Sequence, residues 1–248
     1  MSYDRFDKEK EGLEKINLLL GLIDPHGQVL NHLSAIDQLA IITKIRQELS
    51  NESCLTDDEM NNLIQNSTLM PIILQILSVP HSPDVKYMQL EAGWILTNLA
   101  FGSSDTLKLI FTPDFTRVIN LLLASCDIVM LDQLMFLFGN ITGTDKELRR
   151  MVRSFFDLPG VIIAVLENNK EVPKPFAKNY VWVANNLSQD YKYLSLKDFR
   201  ALSTIFYEFI EYYKQNNQDE LLDCVKGLCN LSATNDPQAI KWVSGINF

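Results

Sequence analysis

From about residue 35 onward, apolar residues return at i, i+3 and i+4, the spacing of half-buried helices. Residues 38–50 show it first, with Leu39, Ile41, Ile42, Ile45 and Leu49 on a common face. Strongly apolar runs follow at Pro71-Ile72-Ile73-Leu74-Gln75-Ile76-Leu77, at Val118-Ile119-Asn120-Leu121-Leu122-Leu123 and at Gly160-Val161-Ile162-Ile163-Ala164-Val165-Leu166. Residues 203–213 supply a fourth. Each run predicts a helix. Pro71 and Pro159 stand at or just before helix starts, where proline is tolerated. Proline-bearing loops at 79–83 and 171–175 separate helices. No stretch alternates apolar and polar residues as a strand would.

A second pattern lies on top of the first. Trp94-Ile95-Leu96-Thr97-Asn98-Leu99 returns as Phe136-Leu137-Phe138-Gly139-Asn140-Ile141. It returns again as Trp182-Val183-Ala184-Asn185-Asn186-Leu187 and as Lys226-Gly227-Leu228-Cys229-Asn230-Leu231. The asparagines are 42, 46 and 44 residues apart. A helical period of about 40–47 residues is the mark of armadillo and HEAT solenoids. The predicted fold is therefore all-α: a solenoid of about five repeats of this class, occupying residues 34–248. Residues 1–33 are expected to be a flexible segment plus a capping helix near 13–20, because a terminal repeat would otherwise expose apolar surface. The array is expected to end near its fifth repeat, with one further helix begun before residue 244.

Asparagine is a mediocre helix former, so four recurrences at one phase need a cause. Two readings are open. Asn could close a helix end or satisfy a local backbone group. Alternatively, each side-chain amide, both donor and acceptor, could bond the backbone of an extended peptide lying along a concave groove. Trp94 and Trp182 stand four residues before an Asn and so share its face. Core packing is the other account of the two indoles.

Composition narrows the functions. The net charge of −9 argues against nucleic acid as a partner and is compatible with basic ones. The three histidines, His26, His32 and His81, have no ligand-spaced partners, and no phosphate loop, zinc pattern or nucleophile elbow occurs. The expectation is a non-enzyme with no cofactor and no metal. Cys54, Cys126, Cys224 and Cys229 lack CxxC spacing and read as reduced, buried or half-buried thiols of a reducing compartment. Neither a signal-peptide segment nor a membrane span is expected: the apolar run 18–23 is too short to cross a bilayer.

The segment Gln89-Leu90-Glu91-Ala92-Gly93-Trp94-Ile95-Leu96-Thr97-Asn98-Leu99-Ala100-Phe101-Gly102 resembles the second armadillo repeat of the importin-α family, adaptors for proteins bearing nuclear localisation signals. Residues 38–50 resemble the first repeat. Residues 138–143 resemble the third and residues 178–187 the fourth. The resemblance implies an all-α right-handed superhelical solenoid of about five armadillo repeats, with a groove in which Trp faces hold the stems of cargo lysines and Asn side chains hold the cargo backbone. The residues it implies for peptide binding are Trp94, Asn98, Gly102, Phe136, Asn140, Asn179, Trp182, Asn186 and Asn230. It implies a place in nuclear protein import and in the cytoplasm and nucleus.

The departures from the family pattern are specific. Phe136 replaces one Trp, and Lys226 replaces the next and would repel a cargo lysine. Leu107 and Thr144 stand where the family's lysine pocket has Thr and Asp, although Thr106 and Asp145 are each one residue away. Residues 1–33 lack the basic run by which the family binds importin-β, so that partner is not expected by this route. The minor-site repeats would lie beyond Phe248. The leading expectation is an importin-α-like protein holding an extended basic peptide. The second is an armadillo scaffold subunit of a larger complex, with no cargo role.

Overall fold

In the computed structural model, residues 12–23, 33–50, 55–80, 82–125, 127–168, 174–213 and 218–244 are described. His26, His32, His81, Cys54 and Cys126 lie outside them, as does most of the expected flexible segment. Every regular element among the described residues is helical. The chain forms two compact units, residues 1–137 and 138–248.

In the first unit α1 spans Leu13–Ile23 and α2 Ala35–Leu49. One repeat follows as three helices: α3 (Asp57–Asn66), α4 (Leu69–Ser78) and α5 (Pro83–Leu99). The next begins with α6 (Ser104–Ile110) and α7 (Pro113–Ser125) and enters α8 (Ile128–Thr144). The starts are written in the sequence. Ser34 accepts from the backbone N–H of Asp37, and Ser103 from that of Thr106. Thr56 and Glu59 form a reciprocal capping box. Pro83 sits at the first turn of α5, where its missing N–H costs nothing.

Like packs on like. The third helix α5 lies on α2, the second helix α7 on α4, and the first helix α6 on α3. The core is aliphatic: Ile41, Ile42, Ile45, Ile72, Ile73, Ile95, Leu96 and Leu99 are fully buried. Each contributes about 1.5–3 kcal/mol relative to an exposed position. Helix α1 buries Ile16, Leu19, Leu20 and Ile23 and packs on α2. Gln89 and Thr97 are the buried polar groups of α5. Gln89 donates to the carbonyls of Val79 and Ile76, and the Thr97 hydroxyl accepts from Gln133.

The second unit continues with the rest of α8, then α9 (Lys146–Phe155), α10 (Leu158–Asn168) and α11 (Lys174–Ser188). The last repeat departs from the triplet. A 3-10 turn at Tyr191–Tyr193 stands in place of a first helix, followed by α12 (Leu196–Tyr213) and α13 (Gln218–Ser232). A short α14 (Pro237–Val243) follows, capped by Asp236. Here too α13 stacks on α11 and α12 on α10. A partly buried ion cluster fixes the end of α11. Asp190 accepts from Arg149 Nε at 3.0 Å, while Arg149 Nη1 donates to the Thr142 carbonyl at 3.0 Å. Arg153 lies 3.8 Å from Asp190, and burial lowers its pKa.

The expected order of apolar second helix and Asn-bearing third helix is present in both units. The short first helices were not legible, being only 7–10 residues long and largely polar. Cys224 is buried, as expected. Cys229 is exposed, against expectation, because it follows Cys224 by five residues and so falls on another side of α13.

Candidate functional site

Trp94 and Asn98 project from the last two turns of α5. The indole is 43% exposed, and one turn earlier Glu91 extends beside it. Arg46 reaches across from α2. Its Nε lies 2.5 Å from Glu91 Oε2, and its guanidinium carbon lies 5.6 Å from the centroid of the Trp94 ring. Tyr87 and Phe101, seven residues either side of Trp94, are 68% and 71% exposed. Tyr87 lies on α5 and Phe101 in the turn after it; their seven-residue spacing from Trp94 is legible in the sequence but not singled out there.

Asn98 is tied to the neighbouring third helix. Its Nδ2 donates to the Arg46 carbonyl at 3.2 Å and to Ser50 Oγ at 2.9 Å. Ser50 in turn donates to the Arg46 carbonyl at 2.8 Å. The Arg46 carbonyl thus accepts the Asn98 amide in addition to the Ser50 backbone N–H that ends α2.

The same relay recurs twice in the second unit. Asn186 Nδ2 donates to the Gly139 carbonyl at 3.1 Å and to Thr142 Oγ1 at 3.4 Å, while Thr142 donates to its own helix at the Phe138 carbonyl. Asn230 Nδ2 donates to Ser188 Oγ at 2.9 Å and Asn185 Oδ1 at 3.4 Å, while Ser188 donates to the Asn185 carbonyl. A hydroxyl two residues after each receiving Asn position is the sequence signal for this relay: Thr142 follows Asn140, and Ser188 follows Asn186. The amide donors of Asn98, Asn186 and Asn230 bond groups of the preceding third helix, 42–52 residues away, rather than a local backbone group.

Their acceptors differ. Asn186 Oδ1 accepts from Gln189 Nε2 at 3.3 Å, and this side chain is only 5% exposed. Asn98 is half-buried, and its Oδ1 meets no donor among the described residues. Asn140 Nδ2 is buried with no partner among the described residues.

The remaining expected site residues are placed as follows. Trp182 is half-buried and lies on the glycine face of α8: a Cβ at Gly139 would stand 2.3 Å from its ring carbons. Phe136 and Asn179 are half-buried on α8 and α11. Lys226, at the fourth Trp position, pairs with Asp223 at 3.1 Å. Gly102 permits a close approach, since a Cβ there would stand 2.9 Å from Met60 Sδ and Thr106 Cγ2. Leu107 and Thr106 are both buried, and the Thr106 hydroxyl donates to Asn61 Oδ1 at 2.7 Å. Asp145 caps α9 by accepting from the Leu148 N–H at 2.8 Å. The two near-miss pocket residues are therefore engaged elsewhere. Among the described residues there is no His, Cys, Asp and Glu grouping able to hold a metal, and no helix is long and apolar enough to cross a membrane.

Stacked repeats of three helices are those of an armadillo-repeat fold. A designed armadillo repeat protein, YIII(Dq)4CqI, has the same fold, with a TM-score of 0.67 at 15% identity, covering 95% of this chain and 88% of its own. A second, designed armadillo repeat protein YIII(Dq.V1)4CPAF in complex with peptide (KR)4, gives 0.67 at 14% identity over 95% and 87%. In sequence the chain is importin-α-like. It is 28% identical to importin subunit alpha-6 of Arabidopsis thaliana over 149 residues, which is 60% of this chain and 26% of that protein. It is 26% identical to importin subunit alpha-1b of Oryza sativa subsp. japonica over 150 residues, again 60% and 26%. The match thus spans about a quarter of the length of these relatives. No protein-family model matches the chain.

Proposed function

We propose that this protein is a non-catalytic binding module that holds an extended, basic peptide segment along its third-helix faces. Trp94 carries the reading: an exposed indole one turn from the open acceptor of Asn98. A lysine stem would bury apolar area on the ring, and the ring face would attract its ammonium. Asn98 Oδ1 would accept a peptide N–H, its own donors being engaged. The reading also assigns peptide-binding roles to Gly102 and Phe136 in the first unit and to Asn140, Asn179, Trp182, Asn186 and Asn230 in the second. The solved complex of a designed armadillo protein with peptide (KR)4 supports this class of ligand. The importin subunit alpha relatives support a cargo peptide of the nuclear-localisation type, and with it nuclear import and a place in cytoplasm and nucleus.

Fluorescence anisotropy of a labelled (KR)4 peptide tests this. Binding that weakens in Trp94→Ala and Asn98→Ala is expected. Absence of binding by the folded wild type contradicts it. A specific observation favours a second reading, an armadillo scaffold within a larger complex: the amide donors of Asn98, Asn186 and Asn230, together with Thr106 and Lys226, have partners inside the protein. A stable protein partner whose binding resists salt is the result expected of a scaffold.

A further inference from the structure

We infer that Arg46 is an internal charge gate on the Trp94 slot. It holds the place of a peptide cation, and a lysine or arginine must displace it to enter. The inference rests on the peptide reading of the same face.

A cation entering at Trp94 would seek an aromatic face and a carboxylate. Both are present one turn apart on α5, and Arg46 already uses both: 2.5 Å to Glu91 and 5.6 Å to the ring centroid. The pair is shielded but reachable, with Arg46 and Glu91 side chains 21% and 25% exposed. The backbone of Arg46 is held by Asn98 at 3.2 Å, so the residue that would anchor a peptide also anchors the gate.

With Arg46 in place the slot is neutral, because one guanidinium balances one carboxylate. An incoming lysine therefore exchanges one cation for another and gains little from charge. With Arg46 removed, Glu91 faces the indole uncompensated, and the slot selects for a positive side chain. Arg46 thus sets how strongly this position discriminates basic from neutral residues.

The test measures (KR)4 peptide affinity and its salt dependence for the wild type and for R46Q, R46K and R46Q/E91Q, each checked for folding by circular dichroism. R46Q is expected to bind roughly tenfold tighter than the wild type, the scale of one freed carboxylate at a half-buried site, with a steeper loss in salt. R46K keeps the charge and should stay near the wild type. R46Q/E91Q should lose the gain, because Glu91 supplies it. If the wild type binds and R46Q binds equally or more weakly, the gate is refuted and the peptide reading stands. A gain that persists in R46Q/E91Q also refutes it. Binding by R46Q alone supports the gate and contradicts the peptide reading of the unsubstituted protein. No binding by any variant overturns both.

Discussion

Replacing Asn186 by alanine should destabilise the protein more than the same change at Asn98, although the two stand at one position of the repeat. Asn186 is 5% exposed and makes three hydrogen bonds, at 3.1, 3.4 and 3.3 Å. A typical bond contributes about 0.5–1.5 kcal/mol net, and the two longer ones belong at the lower end. The Gly139 carbonyl is not wholly abandoned, because it also accepts from the Thr142 hydroxyl at 3.4 Å. Asn186→Ala should therefore cost about 2 kcal/mol. That corresponds to a fall of about 4–8 °C in Tm for a chain of this size. Asn98 is half-buried, so water can replace its amide, and Asn98→Ala should cost about 0.5–1 kcal/mol. Asn186→Asp is the sharper variant. It puts a carboxylate against the Gly139 carbonyl, and burial would raise its pKa, so the deficit relative to wild type should shrink as the acid protonates on lowering the pH. Thermal and urea unfolding followed by circular dichroism read all three. Equal costs at the two sites, or a cost under about 0.5 kcal/mol at Asn186, would refute the stitching role drawn from these bonds.

Three further outcomes follow from the packing. Gly139→Ala places a methyl 2.3 Å from Trp182, forcing the ring to move; an overpacking cost of about 1–3 kcal/mol should outweigh the gain in helix propensity. In a W94F/W242F background the emission of Trp182 should shift to the red, and unchanged emission would count against the contact. Cys224 is buried and its thiol is pushed up to about 12, chiefly by desolvation, whereas Cys229 is exposed. In a C54S/C126S protein, a thiol reagent should label Cys229 under native conditions and Cys224 only after denaturation, as peptide mapping would show. Finally, bonds from the Thr56 backbone N–H and hydroxyl hold the Glu59 carboxyl below its ordinary pKa. Its stabilisation is present above the unfolded carboxylate range and is lost as pH falls through the folded pKa. The stability gap between wild type and Glu59→Gln should therefore close below about pH 4.

The repeat was legible because two demands coincide in each third helix: an aliphatic face to bury and one Asn at fixed phase. Trp94 and Asn98 could be placed on one face from their spacing alone. What spacing could not show was where each Asn amide points. That depends on the preceding third helix, about 45 residues away in sequence, whose hydroxyl at Ser50, Thr142 or Ser188 accepts the bond. Arg46 escaped notice for the same reason. Its partners, Glu91 and Trp94, are remote in the chain and meet it only when α5 stacks on α2. The first helices escaped because α6 has just seven residues and the 3-10 turn at Tyr191–Tyr193 three, too few for a periodicity to appear.

The most direct measurement uses the three tryptophans, Trp94, Trp182 and Trp242, as built-in reporters. Their indole N–H signals, assigned by single Trp→Phe variants, can be followed by NMR while unlabelled (KR)4 peptide is added. A basic peptide held along the third helices should shift Trp94 and Trp182 saturably and leave Trp242, on α14, in place. Saturable binding that leaves the Trp94 signal unmoved would contradict the account.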